Sequence, residues 1–164
     1  MPDPDVLLLA VLNSTPLVDG APTDELVGSA GRERLRSLGG SGTTQELESV
    51  RAARDAVQGI VRGQEDNLDL VRSALAGVVQ VAVVTTGGVS WEIKAPPATE
   101  LAVRVILAWS DVAQRLPGRL RPCGNDECQL FLIDHSRPGT ARWCSMATCG
   151  NRMKARAHAQ RQRG

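Results

Sequence analysis

All four cysteines of this chain fall between residues 123 and 149, as Cys123-x4-Cys128 and Cys144-x4-Cys149 with fifteen residues between the pairs. No other feature constrains the fold as tightly. Two thiols on one turn and two on another, with enough chain between them to fold back, is the arithmetic of a structural zinc site. Four thiolates fill a tetrahedron and leave no open position for a catalytic water. A redox pair would have C-x-x-C spacing, which neither pair has. The spacing therefore predicts one Zn2+ per chain, bound by Cys123, Cys128, Cys144 and Cys149.

The surroundings favour metal over disulfides. The opening "MPDPDVLLLAVLNSTP" carries acids where a secretory leader carries bases, and its apolar run is far short of the ~20 residues of a membrane helix. The expectation is a cytoplasmic protein that makes no membrane contact, in a compartment where thiols stay reduced. Within the finger, "QLFLID" reads as a strand, "HSRPGT" as a turn and "ARWC" as the return strand. Leu130, Phe131, Leu132 and Trp143 are the apolar stock of so small a module and belong inside, beside the metal. His135 and His158 are read as turn and solvent-facing residues, since four thiols already complete the ligand set. Gly150 is read as a turn or close approach beside Cys149, and Asn151 as a local backbone hydrogen-bonder.

Net charge is only +1, but the total conceals a division. Before Pro117 there are 10 Lys and Arg against 15 Asp and Glu; after it there are 9 against 3. An acidic body precedes a basic tail, the asymmetry of a chain whose end meets a polyanion. Beyond Cys149, "MKARAHAQRQR" is rich in helix formers and has no acid. At 100° per residue Arg152, Arg156 and Arg163 share one stripe, Met153 and Ala157 lie beside it, and Lys154 with Arg161 form a second stripe. Cations on two flanks of a helix can reach phosphates on both walls of a DNA groove. Arg152 and Arg142 have a competing role, since a zinc with four thiolates attracts nearby cations for structural reasons alone.

Residues 6–12 form a continuous apolar run, compatible with a buried strand or one side of a helix. Residues 15–42 are loop-rich, with Leu26, Val27, Leu35 and Leu38 marking short helical turns. Thr44 is read as the cap of a helix to about Arg62, with Leu47, Val50, Val57, Ile60 and Val61 at helical spacing. A second helix follows Asp66 or Asn67, with Leu68, Val71, Ala74, Leu75 and Val78 on one face. "VAVVTTGGVSWEI" reads as a β-hairpin turning at Gly87-Gly88. A third helix runs from Thr99 to Leu116 and ends at "LPGRLRP", the predicted domain boundary. Gly39, Gly40 and Gly42 lack the Lys-Ser/Thr of a phosphate loop.

The segment "FLIDHSRPGTARWCSMATCGNRMK" closely resembles the CGNR zinc finger, with Cys149, Gly150, Asn151 and Arg152 as the tetrad that names it. In that family the finger follows an N-terminal ABATE domain, and the pair is described as a stress-induced transcriptional regulator. The order of elements before residue 117, the "AARDAV" helix and the Asn that closes the first apolar run resemble the ABATE domain; relatives read Asn-Thr where this chain has Asn13-Ser14-Thr15. The resemblance implies an α+β protein: a mainly helical N-terminal domain with a small β-hairpin over residues 1–117, then a four-cysteine finger of β-hairpin and basic helix over residues 118–164.

The expected function is that of a non-enzymatic, nucleoid-associated regulator contacting duplex DNA through Arg137, Arg142, Arg152, Lys154, Arg156, Arg161 and Arg163. Residues 1–117 are expected to fold independently and, being acidic, to bind DNA weakly. A zinc-dependent adaptor for an acidic protein is the alternative. The N-terminal domain is left with a small-molecule effector, a protein partner or a second copy of the chain as its candidates.

Overall fold

The computed structural model describes residues 2–162. The apolar run at the start is a helix, α1 (Pro4–Leu12), not a strand. Local chemistry decides this. Asp3 caps it by accepting from the amides of Asp5 and Val6, Pro4 occupies the first turn where no N–H is needed, and Asp5 complements the helix dipole. Leu7, Leu8, Val11 and Leu12 are buried.

A minimal ribbon of β1 (Leu17–Val18) and β2 (Ala21–Pro22) leads to α2 (Gly28–Ser37). The long helix α3 (Thr44–Val61) is capped by Thr43 rather than by Thr44: the Thr43 hydroxyl accepts from the Glu46 amide. Glu46 returns the interaction, its buried carboxylate accepting from the Ser41 and Gly42 amides, in the manner of a capping box. The cap falls one residue early because only Thr43 has Glu three positions on.

A short 3-10 turn, Glu65–Asn67, precedes α4 (Leu68–Ala74). This helix is shorter than its apolar periodicity predicts. It ends before Leu75 and Val78, and of the five predicted facial residues only Val71 is buried. Gly77, with φ +76°, breaks the run. The hairpin of β3 (Val79–Thr85) and β4 (Gly88–Lys94) forms in the predicted place. Its loop is Thr86-Gly87, and Gly88 alone of the glycine pair takes a positive φ.

Helix α5 (Glu100–Arg115) packs against both α1 and α3. These three helices hold most of the core: Leu8, Val11, Val50, Val57, Leu101, Val105, Ile106 and Val112 are essentially inaccessible.

Past Pro117 the finger's strand is present but its partner differs from expectation. β6 (Phe131–Ile133) pairs antiparallel with β5 (Leu120–Pro122), in the register Leu120↔Ile133 and Pro122↔Phe131. "ARWC" is not a return strand. Its backbone is used otherwise: the Arg142 carbonyl accepts from the Gly124 amide at 2.7 Å. A turn of π type, Met146–Gly150, runs directly into α6 (Asn151–Arg161).

The core crosses Pro117. Phe131 and Ile133 belong to the same buried cluster as the helices of the body, so Phe131 fills the body's interior rather than the space beside the cysteines.

Candidate metal centre

β5 delivers the chain into Cys123, whose amide donates to the Leu130 carbonyl and carries the ladder one step beyond the strands. Between them the chain reverses, closed by the Cys128 amide donating to the Asn125 carbonyl at 2.8 Å. This turn presents Cys123 and Cys128 together. The second pair lies on the other side: Cys144 ends the segment tied to Gly124, and Cys149 lies on the turn that opens α6. Gly150 makes that turn possible. A side chain there would meet the Met146 sulfur at 2.8 Å and the Trp143 ring at 3.1 Å, the close approach read from sequence.

The four sulfurs lie within 4.8 Å of one another. Cys128 to Cys144 and Cys144 to Cys149 are each 3.7 Å. A tetrahedral zinc with bonds of about 2.3 Å requires sulfur–sulfur edges of about 3.8 Å, and these thiols already stand close to that spacing without being bonded to each other. The four cysteines are positioned to bind one metal ion, a structural Zn2+. Such an ion supplies folding free energy to a module with little core of its own.

Without a cation, this much sulfur in one place resists ionisation. Burial, reinforced by Cys149 and Cys123, pushes the Cys128 thiol up to about 11, and burial with the neighbouring thiols drives Cys144 higher still. Cys149 goes the other way. Burial opposes its ionisation, but the Asn125 amide and the surrounding thiols outweigh it. A bound divalent cation inverts this balance and deprotonates its ligands.

Two groups that sequence reasoning missed complete the centre. Asn125 is fully buried and donates from its side-chain amide to the Cys149 sulfur at 3.4 Å, while the Cys144 amide donates to the Cys123 sulfur. Donors of this kind offset the negative charge of a tetrathiolate. The signal was available: Cys-Gly-Asn occurs twice, at residues 123–125 and 149–151. The second copy behaves differently, Asn151 donating to the Ala147 carbonyl, as the local reading predicts.

Asp134 is the other. Buried at the end of β6, its carboxylate accepts from the Ser136 amide and hydroxyl, the Ala141 amide and Arg121. Arg119 lies alongside. The Ser136 hydroxyl above all, then the amides and Arg119, hold the carboxyl below the usual range against the opposing effect of burial. Asp134 thus shapes the loop that carries the chain from β6 to Cys144, and Asp134 and Ser136 of "FLIDHSR" are architectural.

The predicted cations are distributed as follows. Arg137 is exposed on that loop; Arg142 is exposed with its guanidinium over the Trp143 ring at 5.3 Å. Arg152, Lys154, Arg156 and Arg161 are exposed on α6, while Met153 and Ala157 are partly covered. Arg156 is paired with Glu127. Arg163 lies outside the described residues. Arg152 also borders a cavity of about 490 Å3 beside Cys128 and Cys149. Among the described residues, neither Arg142 nor Arg152 bonds a cysteine sulfur.

Residues 13–15, whose role the sequence left open, divide their work: Asn13 ties the finger to the body, while Ser14 and Thr15 bond within the body. The Asn13 side chain donates to the Phe131 carbonyl at 3.1 Å and accepts from the Phe131 amide at 2.7 Å, so a single amide satisfies the backbone of a strand 118 residues away. Ser14 is buried and accepts from Arg54, which also forks onto Asp24. Thr15 accepts from Gln58. Arg62 completes the joint, donating to the Gln129 carbonyl with its guanidinium 4.5 Å from the centre of the Phe131 ring.

A model of the CGNR zinc finger family matches residues 119–162, taking in the four cysteines, the Asp134 loop and α6. No curated protein matches the chain. Among the described residues no helix is long and apolar enough to cross a membrane.

Proposed function

We propose that this protein is a DNA-binding transcriptional regulator in which zinc fixes a basic helix for contact with duplex DNA, while an ABATE-like N-terminal unit, residues 1–117, senses a signal or assembles the complex. The observation that supports this reading is the character of α6. Eleven residues long, it begins two residues beyond a zinc ligand and contains no acid. Among the described residues no carboxylate lies within ion-pair distance of Arg152, Lys154 or Arg161. An exposed helix with unneutralised cations held on a rigid base is suited to phosphate contact. The Arg156–Glu127 pair is exposed on both sides; such pairs contribute about 0–1 kcal/mol, so Arg156 can exchange Glu127 for a phosphate. Arg137, Arg142 and Arg163 are secondary contacts. The role is binding rather than catalysis, since the tetrathiolate set leaves the metal no open position.

The test is the salt dependence of duplex affinity. Lys154→Ala and Arg161→Ala should leave zinc content and thermal stability unchanged, and removing one cation from a phosphate should reduce the slope of log affinity against log salt by about 0.9. Arg152→Ala separates the two roles of that residue. Weakened affinity with intact zinc makes it a DNA ligand, and loss of zinc makes it a brace for the centre. If all three variants bind like the parent with the same slope, α6 is not the reading surface, and an acidic protein partner becomes the better account.

A further inference from the structure

The β3–β4 hairpin takes no part in the core or the metal centre. Its register pairs Gln80 with Ile93, Ala82 with Trp91 and Val84 with Val89. Directly opposed residues share a face of a β-ribbon, so these six form one face, and it is uncharged. Val79, Val81 and Val83 lie on the other face with Glu92 and Lys94, which pair with each other. The uncharged face stands in solvent: Val84 is 79% exposed, Val89 63% and Trp91 65%. A lone two-stranded hairpin is marginal in water without something against its apolar face, and a clustered, exposed apolar patch marks an interaction surface.

We propose that this face is a homodimer interface, packed on the same face of a second copy of the chain. The pattern of charge selects that occupant. The face has no cation, so it offers nothing to the phosphates of nucleic acid or to an anionic lipid headgroup. Apart from the Gln80 amide and the Trp91 indole it has no side-chain donor or acceptor, so a polar protein surface laid over it would lose water without gaining partners. A second copy brings the same uncharged face. Stacking the two leaves the charged Glu92 and Lys94 of both copies outside, on the face they share with Val79, Val81 and Val83, so that no charge is buried between the ribbons.

Shape supports the same arrangement. A two-fold interface must be self-complementary, and the register places the smallest side chain of the face, Ala82, directly beside the largest, Trp91. A two-fold axis parallel to the strands lays β3 of one copy over β4 of the other, and therefore each indole over the opposite Ala82. Six residues on the face are far fewer than the roughly 20–30 a side of a standard interface, so the dimer dissociates on dilution.

Sedimentation velocity on the zinc-loaded full chain over about a hundredfold range of concentration tests this, because association makes the observed mass concentration-dependent. The parent should pass from monomer to dimer. Trp91→Lys and Val84→Lys should remain monomeric with unchanged zinc content and far-UV circular dichroism, while Ser90→Lys, on the opposite face, should dimerise like the parent. Should a lysine variant disturb folding, the parent still decides the matter: its tryptophan emission must shift to the blue as it associates, and Trp91→Phe must abolish that shift. A parent that stays monomeric overturns the proposal, whatever else then covers the face, zwitterionic vesicles included. So does a dimer that survives Trp91→Lys, one that Ser90→Lys breaks equally, or one that forms without the emission shift.

Discussion

The body and the finger of this molecule are held together by opposite means. In the body, α1, α3 and α5 bury continuous aliphatic faces, and the polar groups that go inside with them, Glu46, Arg54 and Gln58, are bonded to loop backbone and neighbouring side chains. Burial of this kind scales with apolar area and needs no cofactor. In the finger, the strand β6 gives Phe131 and Ile133 to the body's core, and around the cysteines Trp143 and Met146 supply a little apolar cover beside polar contacts: an amide on a sulfur, a carboxylate clasped by a loop, arginines on carbonyls. A folded segment that sends its best apolar side chain elsewhere must be organised by something other than burial, and the metal is that agent.

Removal of zinc should separate the two regions most severely. Structural zinc contributes about 10–16 kcal/mol of apparent binding free energy at neutral pH in small fingers. A strong chelator should therefore abolish the fixed environment of Trp143 while most of the helical circular dichroism of α1, α3 and α5 survives. Complete cooperative unfolding on chelation would show that the body depends on the metal too.

The next largest effect lies where the two regimes meet. Phe131→Ala empties a buried aromatic site, which costs about 3–5 kcal/mol. The loss should appear in the body, as a lower urea midpoint of its helical signal, with zinc still bound at one per chain. A body of residues 1–117 alone should show a similar weakness, because the same seat is vacant. Asn13→Ala follows: it leaves the Phe131 amide and carbonyl without their partner, and an unsatisfied buried group costs about 1–3 kcal/mol. Asn13→Asp keeps the acceptor but turns a carboxylate oxygen toward the Phe131 carbonyl, and should destabilise at least as much as Ala.

The smallest effect is a difference in acid response. Burial alone would raise the Asp24 carboxyl, but the hydrogen bond and charge of Arg54, the Leu26 amide and the charge of Arg51 together hold it below its ordinary value of 3.8. A depressed carboxylate contributes stability that is present above that ordinary value and lost as pH falls through the folded one. Metal thiolates are protonated before that. On acid titration the finger should thus release zinc first, and the body should weaken only below about pH 4. Asp24→Asn should remove that second phase from a series of urea midpoints.

What could be read in advance follows the same division. Cysteine spacing encodes the metal site directly, because ligand number and loop closure are local arithmetic; helical periodicity located α3 and α5 to within a residue or two of their ends. The joint was hidden. Asn13 and Phe131 are far apart in sequence, and no periodicity connects an amide at a helix end to the backbone of a three-residue strand. The partner of that strand was hidden as well, since Leu120-Arg121-Pro122 has little β-propensity and is paired through Arg119 and Arg121 bonding the Asp134 loop. "ARWC" looks more like a strand, but its backbone is taken by Gly124 and the Cys123 sulfur. Asn125 and Asp134 were missed for a related reason: each acts on backbone or sulfur brought near it only by the finished fold.

Whether a tetrathiolate metal ion organises the finger while burial organises the body can be read from zinc-edge X-ray absorption on freshly purified, reduced protein with the metal quantified per chain. The account predicts one zinc with four sulfur neighbours at about 2.3 Å and no nitrogen or oxygen in the coordination shell. A shell containing nitrogen or oxygen at about 2.0 Å, fewer than four sulfurs, or protein that is folded throughout and free of metal would contradict it.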